Sequence, residues 1–300
     1  MAQSQTFVNT GSQGSLREDL ANFISRVSWE KTKFLTLCGK KLATAVTHSW
    51  TTEALADAAA NEQLSGFTVT FAAGDANLRT KVTNQVQILM KKVSADKSIE
   101  WVDKAGLGQA SEYDHQVQIK TKELALDLDR ALLRSTVVTR ADDTQTAGVM
   151  RGMIQALATN VVELKDQSGL STDPYFRLCQ IIDDAGGDPD IAMMSGANRL
   201  IMDSWSAGQR QWNMRDTELA MDVEIIRSGF SKQAVVHNKH MTATDVILFQ
   251  QNMNNVAYGR GIRHEELKPD ADRRGGYVVT EATLEYKNEL SGGKISGIKS

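Results

Sequence analysis

The sequence predicts a mixed α+β chain in which an N-terminal arm, an extended β-hairpin loop and one long helix are attached to a compact α/β lobe. Three observations carry this. The run from Thr47 to Gln63, THSWTTEALADAAANEQ, alternates polar and apolar residues and then passes into Ala, Asn and Gln with nothing large to bury. Residues 109 to 135 hold neither Gly nor Pro and return Tyr113, Val117, Leu124 and Leu128 to one face, as an amphipathic helix requires. Beyond them short strand-like and helix-like segments alternate, up to a long two-faced strand near the C-terminus.

Composition bounds the functions available. The chain has 300 residues, of which 41% are hydrophobic, and a chain of this size buries about 75% of its unfolded surface. Its net charge is −3 and no run of five like charges occurs, so neither a nucleic-acid footprint nor a polybasic membrane patch is written in it. Any contact with DNA is expected to be non-specific. Cys38 and Cys179 sit far apart in apolar stretches without a C-x-x-C or a His neighbour, which reads as two buried, reduced thiols. No window reaches the ~18 apolar residues of a membrane span, and the start, MAQSQTFVNTGSQGS, lacks the apolar stretch of a signal peptide.

In chain order, Ser15-Leu16-Arg17-Glu18 forms a capping box ahead of Leu20, Phe23, Ile24 and Val27 at helical spacing. Residues 40–52 and 80–95 read as the two arms of a long hairpin. From Val82 to Met90 the side chains of Val82, Val86, Ile88 and Met90 fall on one parity and Thr83, Gln85 and Gln87 on the other, a strand with one wet face. The tip carries Phe67, Val69 and Phe71 on one parity of extended chain. An isolated two-stranded hairpin is marginal in water, so this face is expected to press on another subunit.

The helix over 109–135 would run roughly 40 Å at 1.5 Å per residue. A further helix is expected over 146–162. Another begins at Thr172-Asp173-Pro174, a cap before Pro at the first helical position, and stops at Gly186-Gly187. The segments DIAMM, VEIIRS, QAVVHN and VILFQ read as strands around a helical ANRLIMDSW, which makes this section an α/β lobe. After Gly275-Gly276, Val278, Ala282, Leu284 and Tyr286 face one way and Glu281, Glu285, Lys287 and Glu289 the other.

Candidate chemistry is thin. Ser28-Trp29-Glu30-Lys31 and Ser94-Ala95-Asp96-Lys97 both fit S-x-x-K, but neither S-D-N nor K-T-G occurs. His237 and His240 lack further ligands, and at i, i+3 on extended chain they point to opposite faces. Asp183, Asp184, Asp188 and Asp190 crowd one turn without the position-12 Glu of a calcium loop, where Met194 stands instead. Tyr258-Gly259-Arg260-Gly261 has neither the third glycine nor the following helix of a nucleotide loop. His48 beside Trp50, with Asp57, could make a base and its orienter, yet a lone His on a strand is more often a packing or hydrogen-bonding residue. No convergent acid, base and nucleophile emerges, which shifts weight toward a structural protein.

The order of pieces, together with LREDL, THSWTTEALADAAAN, AGLGQASEYDHQVQIKTKELALDLDRALL, AGVMRGMIQALATN and YVVTEATLEYKNEL, resembles the major capsid proteins of tailed bacteriophages, whose fold is shared with encapsulins. The resemblance spans nearly the whole chain. It implies an N-terminal arm over 1–39, the extended loop over 40–95, a peripheral domain of 96–145 and 271–300 with spine helix 109–135, and an axial domain over 146–270. It also implies hexamers and pentamers of this chain in an icosahedral shell around double-stranded DNA, assembled in the host bacterial cytoplasm. Portal, scaffold or decoration proteins are possible partners, with no membrane, no cofactor and no metal. The short stretch ahead of the loop would leave any scaffold function to another chain. The alternative is an encapsulin-like compartment around a cargo enzyme. On either reading Phe67, Val69 and Phe71 are inter-subunit contacts, and Tyr113, Val117, Leu124 and Leu128 are the core face of the spine.

Overall fold

The structure, a computed structural model, describes residues 31–53, 55, 58, 60–69, 79–100, 102, 111–140, 146–164, 169–205, 210–212, 224–268 and 272–299. The capping box at Ser15 with its helix, residues 28–30 of the first S-x-x-K motif, Asp57 and Phe71 lie outside them.

The long helix, α3 (Glu112–Arg134), starts at Ser111, whose hydroxyl accepts the Asp114 N–H at 3.3 Å. Glu112 and Asp114 place negative charge in its first turn, where the helix dipole favours it. Its 23 residues span about 35 Å. It lies on a four-stranded sheet ordered β1 (Gly39–Leu42), β11 (Asn254–Glu266), β12 (Arg273–Tyr286) and β4 (Gln87–Asp96), in which only the β1–β11 pairing is parallel. Tyr113 and Leu124 are fully buried against Val93, Ala95 and Val278, with Val117 half-buried beside them. Leu128, Leu132 and Leu133 enter a larger core.

The second sheet has seven strands. Its order is β5 (Val161–Glu163), β13 (Gly293–Ser296), β10 (Val246–Phe249), β6 (Ile191–Met194), β9 (Lys232–His237), β8 (Glu224–Arg227) and β7 (Arg210–Trp212). Every residue of β6 and β10 is buried, as central strands covered on both faces must be. Helix α5 (Thr172–Asp184) packs Tyr175, Leu178, Cys179 and Ile182 onto this sheet, and α6 (Gly196–Asp203) adds Met202. Helix α5 ends at Ala185 with Gly186 at φ 82°, a left-handed conformation that suits glycine. The two sheets meet in one core, where Met193, Ile247 and Phe249 touch the cluster holding Val256, Leu284, Leu128 and Phe34 of α1 (Lys33–Leu37).

Several expectations need correction. The stretch 146–162 is mostly extended, with only α4 (Met153–Ala156) helical. Val149 bridges Val138, and a Cβ on Gly152 would stand 2.8 Å from Ser135 N and 2.9 Å from the Leu133 carbonyl, so the segment is pressed flat on the end of α3. The arms 40–52 and 80–95 pair with each other only over β2 (Thr47–Thr52) and β3 (Thr80–Gln85), while β1 and β4 join the four-stranded sheet.

The parity assigned to Ile88 and Met90 is also reversed. Val86, buried against Ala43 and Ala257, is the corner at which the chain leaves one sheet for the other. The alternation restarts there, so Val93 and Ala95 face inward while Ile88 and Met90 are 46% and 48% exposed. Strand β11, inside 146–270, belongs to the four-stranded sheet, and β13, inside 271–300, closes onto the seven-stranded one. Backbone pairing groups residues by edge availability, not by chain position.

Candidate functional site

The ribbon of β2 and β3 leaves the body at its root, around the rung of His48 and Asn84. His48 and Asn84 are cross-strand partners, and both reach the same short stretch of β12. His48 Nε2 lies 2.6 Å from Glu285 Oε2. Lys41 of β1 donates to Glu285 Oε1 at 3.0 Å, and Asn255 of β11 lies at 3.5 Å from the same oxygen. Glu285 is 2% exposed at its side chain. Burial pushes its carboxyl up, but the hydrogen bonds and charges of His48 and Lys41 outweigh that and hold it below the usual glutamate range.

Asn84 fastens the other strand without charge. Its amide donates to the Leu284 carbonyl at 2.7 Å and the Arg151 carbonyl at 3.1 Å, and its oxygen accepts the N–H groups of Arg151 at 2.7 Å and Gln85 at 2.9 Å. One buried amide thereby meets the backbone of β12 and of the segment before α4, with its two donors and its oxygen all engaged.

One pair further out the Arg151 guanidinium donates to the Thr83 carbonyl at 2.9 Å. Trp50 and Val82, two pairs out from His48 and Asn84, roof a cavity of about 580 Å³ floored by Ala156, Leu284, Tyr286 and Leu290. The Trp50 Nε1–H is buried there without an acceptor, and the Trp50 ring lies 5.9 Å from that of His48. Toward the tip, Phe67 and Val69 are 59% and 62% exposed, and Leu55 and Leu64 are also exposed. These apolar side chains lie beyond the paired part of the ribbon and are bare in the single chain.

The other candidates disperse. Ser94 pairs with Gly275 inside the sheet, and Lys97 forms an ion pair with Asp272. Tyr258 to Gly261 run along β11, where a register shift interrupts the ladder. Asp190 accepts the Gln251 N–H at 2.8 Å, and no group of metal-binding side chains exists among the described residues. Burial pushes the thiols of Cys38 and Cys179 up, away from the reactive thiolate. His240 Nε2 is buried without a partner, at the turn where Asn238 binds Asp129.

Sequence reading singled out His48 and Trp50 but not Glu285, Lys41 or Asn84. Glu285 counted only as part of a wet strand face, and nothing in chain order places Lys41 beside it. A polar residue in mid-strand at Asn84 was the one signal at hand.

The profile of the family described as SU10 major capsid protein matches residues 2–299. No curated protein is significantly similar in sequence. Among solved structures, the capsid of a native GTA particle is 9% identical with a TM-score of 0.66, covering 97% of this chain and 98% of its own. The chain from Mycobacterium phage Adephagia is 10% identical, with a TM-score of 0.62 over 97% and 98%. The holo-SrpI encapsulin of Synechococcus elongatus PCC 7942 is 6% identical, with a TM-score of 0.62 over 98% and 97%. At these identities the likeness is one of fold.

Proposed function

This chain belongs to the SU10 major capsid protein family, and from that membership we propose how its parts build a shell. It is a structural major capsid protein of a tailed phage, a component of the virion, and it acts by assembling with copies of itself. The finer reading is that copies form hexamers and pentamers of an icosahedral shell around double-stranded DNA, with portal, scaffold or decoration proteins as further partners. The N-terminal arm is then residues 1–39, the extended loop 40–95, the peripheral domain 96–145 and 271–300 with α3 as its spine, and the axial domain 146–270, from which β11 reaches into the sheet under α3.

The observation that supports this reading best is the arm. A ribbon fastened at its root, with Phe67 and Val69 bare toward its tip, needs a neighbour. We assign Phe67, Val69 and Phe71 to contacts with an adjacent subunit, and Tyr113, Val117, Leu124 and Leu128 to the core face of the spine. Burying three such side chains contributes on the order of 5 kcal/mol per contact before ordering costs, multiplied over every subunit.

Electron microscopy of purified particles, followed by nuclease treatment, tests this. Closed shells that protect double-stranded DNA are expected. Shells holding a cargo protein and no DNA would select the encapsulin-like alternative, and a chain that stays monomeric under all assembly conditions would overturn both.

A further inference from the structure

The two fastenings at the root of the ribbon differ in kind. On β3, Asn84 holds β12 and the Arg151 segment through uncharged hydrogen bonds. On β2, His48 holds the carboxylate of Glu285. Both residues belong to one rung, and β3 is held again at the next residue, where the Thr83 carbonyl accepts from Arg151, so release of His48 leaves β3 as the fixed side, and the cavity under Trp50 leaves room on the body side. The charged and polar groups that meet Glu285 are known from each element packed on it: Lys41 from β1, His48 from β2 and Asn255 from β11. Strand β3 contributes no charge there, and the nearby Arg151 guanidinium is turned to the Thr83 carbonyl at 2.9 Å.

We propose that Lys41, His48 and Glu285 form a one-sided latch that sets the direction of the extended hairpin, and that protonating Glu285 frees the β2 strand while Asn84 keeps the β3 strand in place, so that the ribbon pivots instead of detaching. Charge-assisted bonds are about twice as strong as neutral ones, so neutralising this one carboxyl weakens two of them together. The sign follows from the titration of Glu285. Its carboxyl is held below the ordinary value of 4.5, so the latch is closed at neutral pH and opens only as pH falls below that value. The latch does not depend on the shell reading. Its consequence does: a shell built with closed latches holds every arm at one angle, and acid releases that angle.

The experiment places nitroxide labels at Gln63→Cys on the arm and Lys239→Cys on the body, both exposed positions, in the full chain. The native Cys38 and Cys179 are buried. Labelled chain is diluted with unlabelled chain so that pulsed electron resonance reads distances within one copy. At pH 7 a single arm-to-body distance is expected, joined below about pH 4.5 by a second population. His48→Ala, which removes the donor but leaves the core packing of β12 intact, should show the second population already at pH 7. His48→Gln, whose amide still donates to Glu285, should restore the single distance. Glu285→Met should show both populations at every pH, and if it fails to fold the two His48 variants carry the test. One pH-invariant distance in the unsubstituted chain, or a His48→Ala profile identical to it, overturns the latch whether or not shells form.

Discussion

Two buried carboxylates hold this chain together with opposite dependence on pH. Asp129, fully buried on α3, accepts the Leu35 N–H of α1 at 2.8 Å and the Asn238 amide at 3.0 Å, tying helix, arm and lobe at one point. Burial pushes its carboxyl above the ordinary 3.8, more than those bonds pull it down. The folded chain therefore binds this proton more tightly than the unfolded chain, and the stability this group supplies falls as pH rises from 3.8 through the raised value. Glu285 works the other way, supplying stability that is lost as pH falls below 4.5. Urea unfolding across pH should show the first slope vanish in Asp129→Asn and the second in Glu285→Gln; unchanged profiles would refute both assignments. At the same junction Asn84→Ala strands two carbonyls and two N–H groups. A cost of at least about 3 kcal/mol is expected, since each unmet buried group costs roughly 1–3 kcal/mol and water reaches the part-buried ones. A loss near zero by denaturant titration would mean that water replaces the amide.

At the scale of elements, β4 gives a direct test of which face is core. Ile88→Lys and Met90→Lys add charge to exposed positions and should leave folding within about 0.5 kcal/mol of the starting chain. Val93→Lys forces a charge between β4 and α3, where an unpaired buried charge is costly enough to consume much of a domain's stability. Soluble, cooperatively folding Val93→Lys protein would restore the parity first read from Val82 to Met90. The ribbon gives the complementary test. Replacing residues 58–77 with a Gly-Ser turn removes none of the described residues of the main core, so circular dichroism should stay near normal while sedimentation shows single chains or loose capsomers. Shells of normal size and heat resistance from that variant would show that the arm does not tie subunits together.

For the whole molecule, the shared core argues against independent lobes. Leu128, Met193, Phe249, Val256 and Leu284 lie in one cluster although they come from α3 and from both sheets. The cooperative unit should follow the core and not the chain segments. Calorimetry on the unassembled chain should give one transition, with near-ultraviolet and far-ultraviolet signals melting together. Two separated transitions would mean that the sheets fold alone and that this cluster is a docking surface.

The sequence by itself determined what depends on local spacing. The long helix, the helix from Thr172 and the apolar parity of Val278 to Tyr286 are periodicities of 3.6 or 2 that read as buried faces, and DIAMM and VILFQ are short continuous apolar runs that read as covered strands. The alternation also exposed the arm, because a run with nothing large to bury cannot make its own core. What only the tertiary structure decided is where the chain turns out of one sheet into another and what meets there. The corner at Val86 resets the parity of the next strand. Gly152 flattens a segment whose composition reads as helix. Lys41, His48 and Glu285 come from three strands, with His48 and Glu285 237 positions apart. Local pattern carries the face an element offers to a core, since that face is set by side-chain spacing along a few residues. A charge cluster across strands is set by register and crossing, which no window of sequence contains.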